Sequence, residues 1–117
     1  MFTVSGRTIR LSRGDTGIIP FRVEGVTLTD ADRAVFTVRR RTGTVLVQKV
    51  IAPEKDIFYV PFINDETDGW KVGEYSWDIR IVLGAVMDAE GKVKDGREVI
   101  TPWMPSRLEV MKVVGEV

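Results

Sequence analysis

Between Gly73 and Leu83 the chain alternates with a period of two. Tyr75, Trp77, Ile79, Ile81 and Leu83 fall on one side, and Ser76, Asp78, Arg80 and Val82 on the other. Successive side chains of a strand point to opposite faces, so this is the pattern of a strand with one face on a core and one in water. Such a strand needs paired neighbours and a second layer over its apolar face. The rest of the chain is suited to supply both. Val, Ile and Thr contribute 37 residues, whereas Ala and Leu together contribute 10. Branching at Cβ fits a pleated, half-buried surface and fits a helix poorly. No segment carries a convincing helical repeat of apolar residues.

Apolar segments recur every 10–15 residues, separated by Gly, Pro, Asp and Asn. The spacing predicts strands over Phe2–Leu11 (interrupted at Ser5-Gly6), Ile18–Val23, Ala34–Arg40, Val45–Ile51, Ile57–Phe62, Gly73–Leu83 and Glu98–Thr101, then Leu108–Val114. Pro20 marks its strand as an edge or a bulge. Pro102 and Pro105 divide the last strand region. Arg41-Thr42-Gly43-Thr44 reads as a hairpin turn. Gly25–Arg33 reads as loop, in which Thr29-Asp30-Ala31-Asp32 forms one helical turn capped by Thr29 or only a bend. Asn64–Thr67 reads as a polar turn or one short helical turn. The charged stretch Asp88–Arg97 reads as a long hairpin tip. With 117 residues the chain is one domain, 1–117. The expected fold is all-β, a single antiparallel β-sandwich of seven to eight strands, with a small β-barrel as the alternative.

Composition narrows the chemistry. Without cysteine or histidine the chain has no thiolate ligand or nucleophile and no imidazole base. Seventeen basic residues balance seventeen acidic ones, so no net field draws it to nucleic acid or an anionic membrane. The start has no basic segment leading into an apolar one, and no apolar run approaches the ~18 residues of a membrane span. No catalytic, cofactor or metal site is expected.

Several short motifs invite a functional reading. Arg13-Gly14-Asp15 spells the adhesion tripeptide, but between two strands it reads as a turn, with Asp15 capping local N–H groups. Arg39, Arg40 and Arg41 form the one basic run, which alternation would split between two faces unless the strand ends there. The acidic clusters Asp30/Asp32, Asp65/Glu66/Asp68 and Asp88/Glu90/Asp95 could serve as paired catalytic carboxylates or calcium ligands, yet each fits turn chemistry better. Trp70 and Trp103 sit beside turns and, if exposed, would form a sugar-stacking surface. That makes a carbohydrate-binding module the alternative function. The opposite charges of Arg39–Arg41 and of Asp65, Glu66 and Asp68 suggest where copies of the domain would touch.

Three stretches, in order, carry a resemblance. They are Leu11–Thr16 with the strand Ile18–Val23; Asp65-Glu66-Thr67 with Gly73–Ile79; and Val99–Pro102 leading to Leu108–Val110. Together they resemble the small immunoglobulin-like sandwich of tail and baseplate proteins in phages and prophages of Gram-positive bacteria, notably the N-terminal domain of baseplate upper proteins. The motifs are a Gly-Asp-Thr turn (Gly14, Asp15, Thr16), a mid-chain Asp-x-Thr, a Gly-x-Tyr-x-x-Asp-Ile strand (Gly73, Tyr75, Asp78) and a late Thr. The resemblance implies an immunoglobulin-like sandwich with a non-enzymatic structural role in the virion. It also implies contacts with other phage structural proteins, self-association into a homo-oligomer, and fold-determining roles for those six residues. Two features depart from that family. The charged tip is longer, and no fibre or receptor-binding region follows. The chain therefore reads as a free-standing virion or prophage protein, or as a piece of a larger one.

Overall fold

A computed structural model describes residues 2–112. Eleven strands and one helical turn follow in order: β1 (Phe2–Ser5), β2 (Thr8–Ser12), β3 (Gly17–Arg22), β4 (Arg33–Arg39), β5 (Val45–Ile51), β6 (Ile57–Phe62), α1 (Asn64–Thr67), β7 (Gly73–Leu83), β8 (Val86–Met87), β9 (Val93–Asp95), β10 (Glu98–Ile100) and β11 (Ser106–Met111). The large sheet runs β1-β2-β11-β7-β4-β5, with β10 also paired to β7. A two-stranded ribbon, β3-β6, covers its inner face, and β8-β9 form a second small ribbon. The ladders do not close, so the fold is an all-β sandwich and not a barrel. No helix of the described residues is long and apolar enough to cross a membrane.

The alternation of β7 organises the core. Trp77, Ile79, Ile81 and Leu83 are buried, and they share the inner face of the sheet with Phe36 and Val38 of β4, Leu108 and Val110 of β11, and Ile9 and Leu11 of β2. From the ribbon, Ile19, Phe58, Val60 and Phe62 pack against them. Phe36 stacks on Trp77 at 5.4 Å between ring centroids and meets the edge of Phe62 at 5.7 Å. The Trp77 indole N–H donates to the Arg7 carbonyl at 2.9 Å, so this large ring is buried without an orphaned donor.

Three features differ from the strand pattern read in the sequence. First, the sheet is mixed. The first strand region folds back on itself at Gly6 (φ +59°), and its second half runs parallel to the last strand, with Leu108 opposite Ile9 and Val110 opposite Leu11. Second, the charged tip holds structure of its own. β8 and β9 fold over the outer face of the sheet, where Gly96 lies against Val82; a Cβ on Gly96 would sit 2.3 Å from Val82 Cγ1. Val82, on the wet side of the alternation, is buried for that reason. Third, β10 and β11 share the same edge of β7, and residues 101–105 bulge between them. Trp103 in this bulge reaches Phe21 (6.1 Å) and Trp77 (6.3 Å), bridging ribbon and sheet. Residues 113 and 114 of the expected last strand lie outside the described residues.

The loop before β4 is held by a buried carboxylate. Asp32, 2% exposed, accepts from the Thr29 N–H at 2.7 Å and from the Gly84 N–H at 2.8 Å. Asp32 thereby ties this loop to the end of β7; residues 29–32 form the bend rather than the helical turn, with the Asp32 N–H donating to the Thr29 carbonyl at 3.0 Å and Thr29 Oγ1 accepting from the Ala31 N–H at 3.3 Å.

Candidate functional site

The six positions that carry the family resemblance fall near one end of the sandwich. Gly14 takes φ +83° in the turn between β2 and β3, and Asp15 Oδ2 accepts from the Ser12 N–H at 2.8 Å. α1 docks on this turn: the Thr67 hydroxyl donates to the Asp15 carbonyl at 2.8 Å, and Asn64 Nδ2 donates to the Gly14 carbonyl at 2.8 Å. Thr67 is fully buried. Thr16 is exposed. The Arg13-Gly14-Asp15 tripeptide is thus tied down by its neighbours and does not project. Gly73 opens β7, and Tyr75 is half-buried with its hydroxyl donating to the Lys71 carbonyl at 2.6 Å. Asp78 faces outward and pairs with Arg39.

That last pair divides the basic run. β4 ends at Arg39, whose side chain crosses the outer face of the sheet to Asp78, the diagonal neighbour two residues along β7 from its own partner Ser76. Arg40 and Arg41 are exposed in the following turn, where both line a cleft. The same outer face carries Arg10–Glu109 (2.8 Å), Arg107–Glu74 (3.3 Å) and Arg107–Glu109 (3.5 Å). The Arg10 hydrogen bond, with both arginine charges beside it, holds the Glu109 carboxyl below the usual glutamate range. Around β2, β11 and the start of β7 this face is thus a row of matched charges, whereas toward β9 Arg80 is exposed and lines a cleft of about 300 Å³ with Gln48 and Lys94.

The acidic cluster also separates. Glu66 turns inward to Lys49 Nζ at 2.7 Å. The same ammonium donates to the Pro61 carbonyl at 2.6 Å and lies 5.3 Å from the Phe62 ring centroid. Asp65 and Asp68 stay exposed. The opposed charges read from the sequence therefore reduce to Arg40 and Arg41 against Asp65 and Asp68. The other acidic groups serve turns: Asp88 Oδ1 accepts from the Glu90 and Lys92 N–H groups, each at 2.9 Å, and Asp95 caps Gly96. Among the described residues no three Asp or Glu side chains gather where they could hold a metal.

The sugar-stacking surface does not form. Trp70 is 5% exposed and packs on Phe62 and Tyr75, so it cannot share a surface with Trp103, which is 40% exposed beside Phe21 and Trp77. The aromatic beside the α1 turn was needed to fill the core at that end, an outcome its turn-flanking position did not disclose.

Two surfaces offer room for a partner. One is a cleft of about 540 Å³ between the β4–β5 turn and the segment leading into β7, with Arg40, Arg41 and Lys71 at its rim and Leu46, Trp70 and Tyr75 at its base. The other is the outer face of the β3–β6 ribbon, missed in the sequence reading. Ile18 (63% exposed), Pro20, Tyr59 (39%) and Pro61 form it, and Ile63 (55%) continues it. Its signal was present: β3 and β6 are apolar at both parities, as in strands covered on both sides. Pro20 continues toward Val4 and Trp103, with which it lines a shallow pocket of about 200 Å³.

The ribbon's two free edges are guarded. Val23 N donates to the Asp56 carbonyl at 2.9 Å, which sets the phase of the ladder. Residues 18, 20 and 22 of β3, and 57, 59 and 61 of β6, then direct their N–H groups away from the partner strand. Pro20 and Pro61 occupy two of those outward positions and remove the donor from each edge. Strand addition is hindered on both sides, while the apolar face between them stays open.

No family model, curated protein or solved structure matches the chain.

Proposed function

We propose that the protein is a non-enzymatic structural domain that works by packing against other protein surfaces in a multi-copy assembly. This is the role implied by its resemblance to phage tail and baseplate sandwiches. Its place would be the virion, and its partners further copies of itself and neighbouring structural proteins. The observation that carries the reading is the open apolar face of the β3–β6 ribbon, bounded by two proline-guarded edges. An apolar face with blocked edges favours face-to-face packing over strand exchange. The meeting of the Gly14–Thr16 turn with Thr67 supports the fold-determining part of the resemblance.

Size bears on how the face would act. Two six-residue strands rising ~3.4 Å per residue and spaced ~4.8 Å apart present roughly 200 Å². A stable interface needs about 800 Å² per partner. The ribbon face is therefore the apolar centre of a contact that extends onto the Val4–Trp103 wall. In isolation it is weak, and it gains strength where many copies are held together. Sedimentation velocity over about 10 μM to 1 mM tests this. The wild type is expected to self-associate reversibly with rising concentration, and Ile18→Glu to stay monomeric. Identical, concentration-independent sedimentation of both would overturn the reading.

A further inference from the structure

We propose that the cleft between the β4–β5 turn and the start of β7 is a second docking site, one that takes a short, extended, acidic peptide segment of a partner protein. It shares no residue with the ribbon face, and the two stand or fall separately.

Three observations converge on this occupant. The first is charge. Arg41 and Lys71 are exposed and have no acidic partner among the described residues. Arg40 spends one N–H on the Val45 carbonyl at 3.0 Å and keeps its remaining donors. The acid lining the cleft, Glu74, is drawn to Arg107 on the β11 side. The rim thus holds three cations in a chain whose net charge is zero. A complementary ligand is anionic, and short-range contact rather than long-range attraction would capture it.

The second observation is an open strand edge. Gly73, Glu74 and Tyr75 pair with Val110, Glu109 and Leu108 of β11. On the opposite side the β4 ladder stops at Arg39 opposite Ser76. Three residues of β7 therefore present an unpaired edge into the cleft, where a continuing β4 would have lain. An extended backbone fits that gap and supplies main-chain hydrogen bonds. Unlike the ribbon edges, this one carries no proline.

The third is the base. Leu46 and Tyr75, both half-buried, offer an apolar floor for one side chain of the incoming segment. Nucleic acid would need exposed rings to stack its bases. Trp70 is buried, and the Tyr75 hydroxyl is already bonded to Lys71. A peptide carrying carboxylates on either side of an apolar residue uses all three features at once.

The test is fluorescence polarisation with a labelled, end-blocked pentapeptide alternating glutamate and valine, against the same peptide with lysine for glutamate and against a thymidine decanucleotide. The acidic peptide is expected to bind saturably, and the double variant Arg41→Glu/Lys71→Glu to weaken it at least tenfold. Lys94→Glu, on β9, should change it less than twofold. In amide spectra the peptide should shift Gly73, Glu74 and Tyr75. Both rim side chains are exposed and unpaired, so the double variant should melt with the wild type; the lysine peptide provides a control that needs no variant. No saturation by about 1 mM, equal binding of the lysine peptide, or tighter binding of the oligonucleotide would each overturn the proposal. Ile18→Glu should leave peptide binding intact, which separates this site from the ribbon face.

Discussion

Removing the Asp32 carboxylate should loosen the junction between the β3–β4 loop and the end of β7. Its two oxygens satisfy two backbone donors, Thr29 N at 2.7 Å and Gly84 N at 2.8 Å, from a site that is 2% exposed. A hydrogen bond to a charged acceptor contributes about 1.5–3 kcal/mol, and a stranded buried donor costs about 1–3 kcal/mol. The two donors are not equivalent. Thr29 is exposed, so water can replace the carboxylate there, whereas Gly84 is half-buried. Some of the loss is returned because a carboxylate no longer has to be desolvated. Asp32→Ala should therefore cost about 2–3 kcal/mol overall. At roughly 4 °C per kcal/mol for a domain of this size, the melting temperature should fall by about 8–12 °C. Asp32→Asn is the sharper probe. It keeps the shape and one acceptor but turns an amide N–H toward the other donor, and should cost about 2 kcal/mol. Urea unfolding followed by tryptophan fluorescence measures both, since Trp70 and Trp77 are buried in the core. If both variants unfold within about 0.5 kcal/mol of the wild type, the carboxylate does not tie the loop to the sheet.

Gly96→Ala should destabilise by about 1–3 kcal/mol, because its Cβ would press on Val82 Cγ1; adding Val82→Ala should recover part of that loss, and strictly additive effects would argue against the contact. Pro20→Val with Pro61→Val should restore an outward N–H to each free ribbon edge and raise aggregation on heating, read by light scattering, whereas unchanged aggregation would show that the prolines guard nothing. Glu109 is held below the usual glutamate range by Arg10, so its stabilisation is present above the ordinary glutamate pKa and is lost as pH falls through the lowered folded value. The difference in urea midpoint between wild type and Glu109→Gln should accordingly shrink between pH 7 and pH 3, and a pH-independent difference would refute the pairing.

The period-two pattern of β7 was enough to foresee the sandwich, because its apolar parity is local and strict. The β4–β5 hairpin and the break at Pro102 and Pro105 were legible for the same reason: turn chemistry is written in adjacent residues. What escaped depended on distant partners. The parallel pairing of β2 with β11 joins residues about a hundred positions apart. β9 lies in the charged stretch and β8 just before it, held to β7 by Gly96 packed on Val82 and by the Arg97 N–H donating to the Leu83 carbonyl at 2.9 Å. Arg39 left its two neighbours for Asp78, and Glu66 left its two for Lys49; neither partner is near in sequence. Trp70 looked like a surface residue because it follows a polar turn, but the turn folds it under Phe62. The ribbon face was readable in principle. Ile18-Ile19-Pro20-Phe21 and Phe58–Ile63 are apolar at both parities, a signal that one face awaits a cover.

The outer ribbon face is proposed as the surface on which this domain meets other copies. A dilution series of amide-resolved NMR spectra tests it directly, because it reports both whether copies touch and where. If copies meet there, concentration-dependent shifts centre on Ile18, Tyr59 and Ile63, and the paired charges of the opposite face do not move. Shifts centred on Arg10, Glu109 and Asp78, or none at the highest attainable concentration, would contradict it.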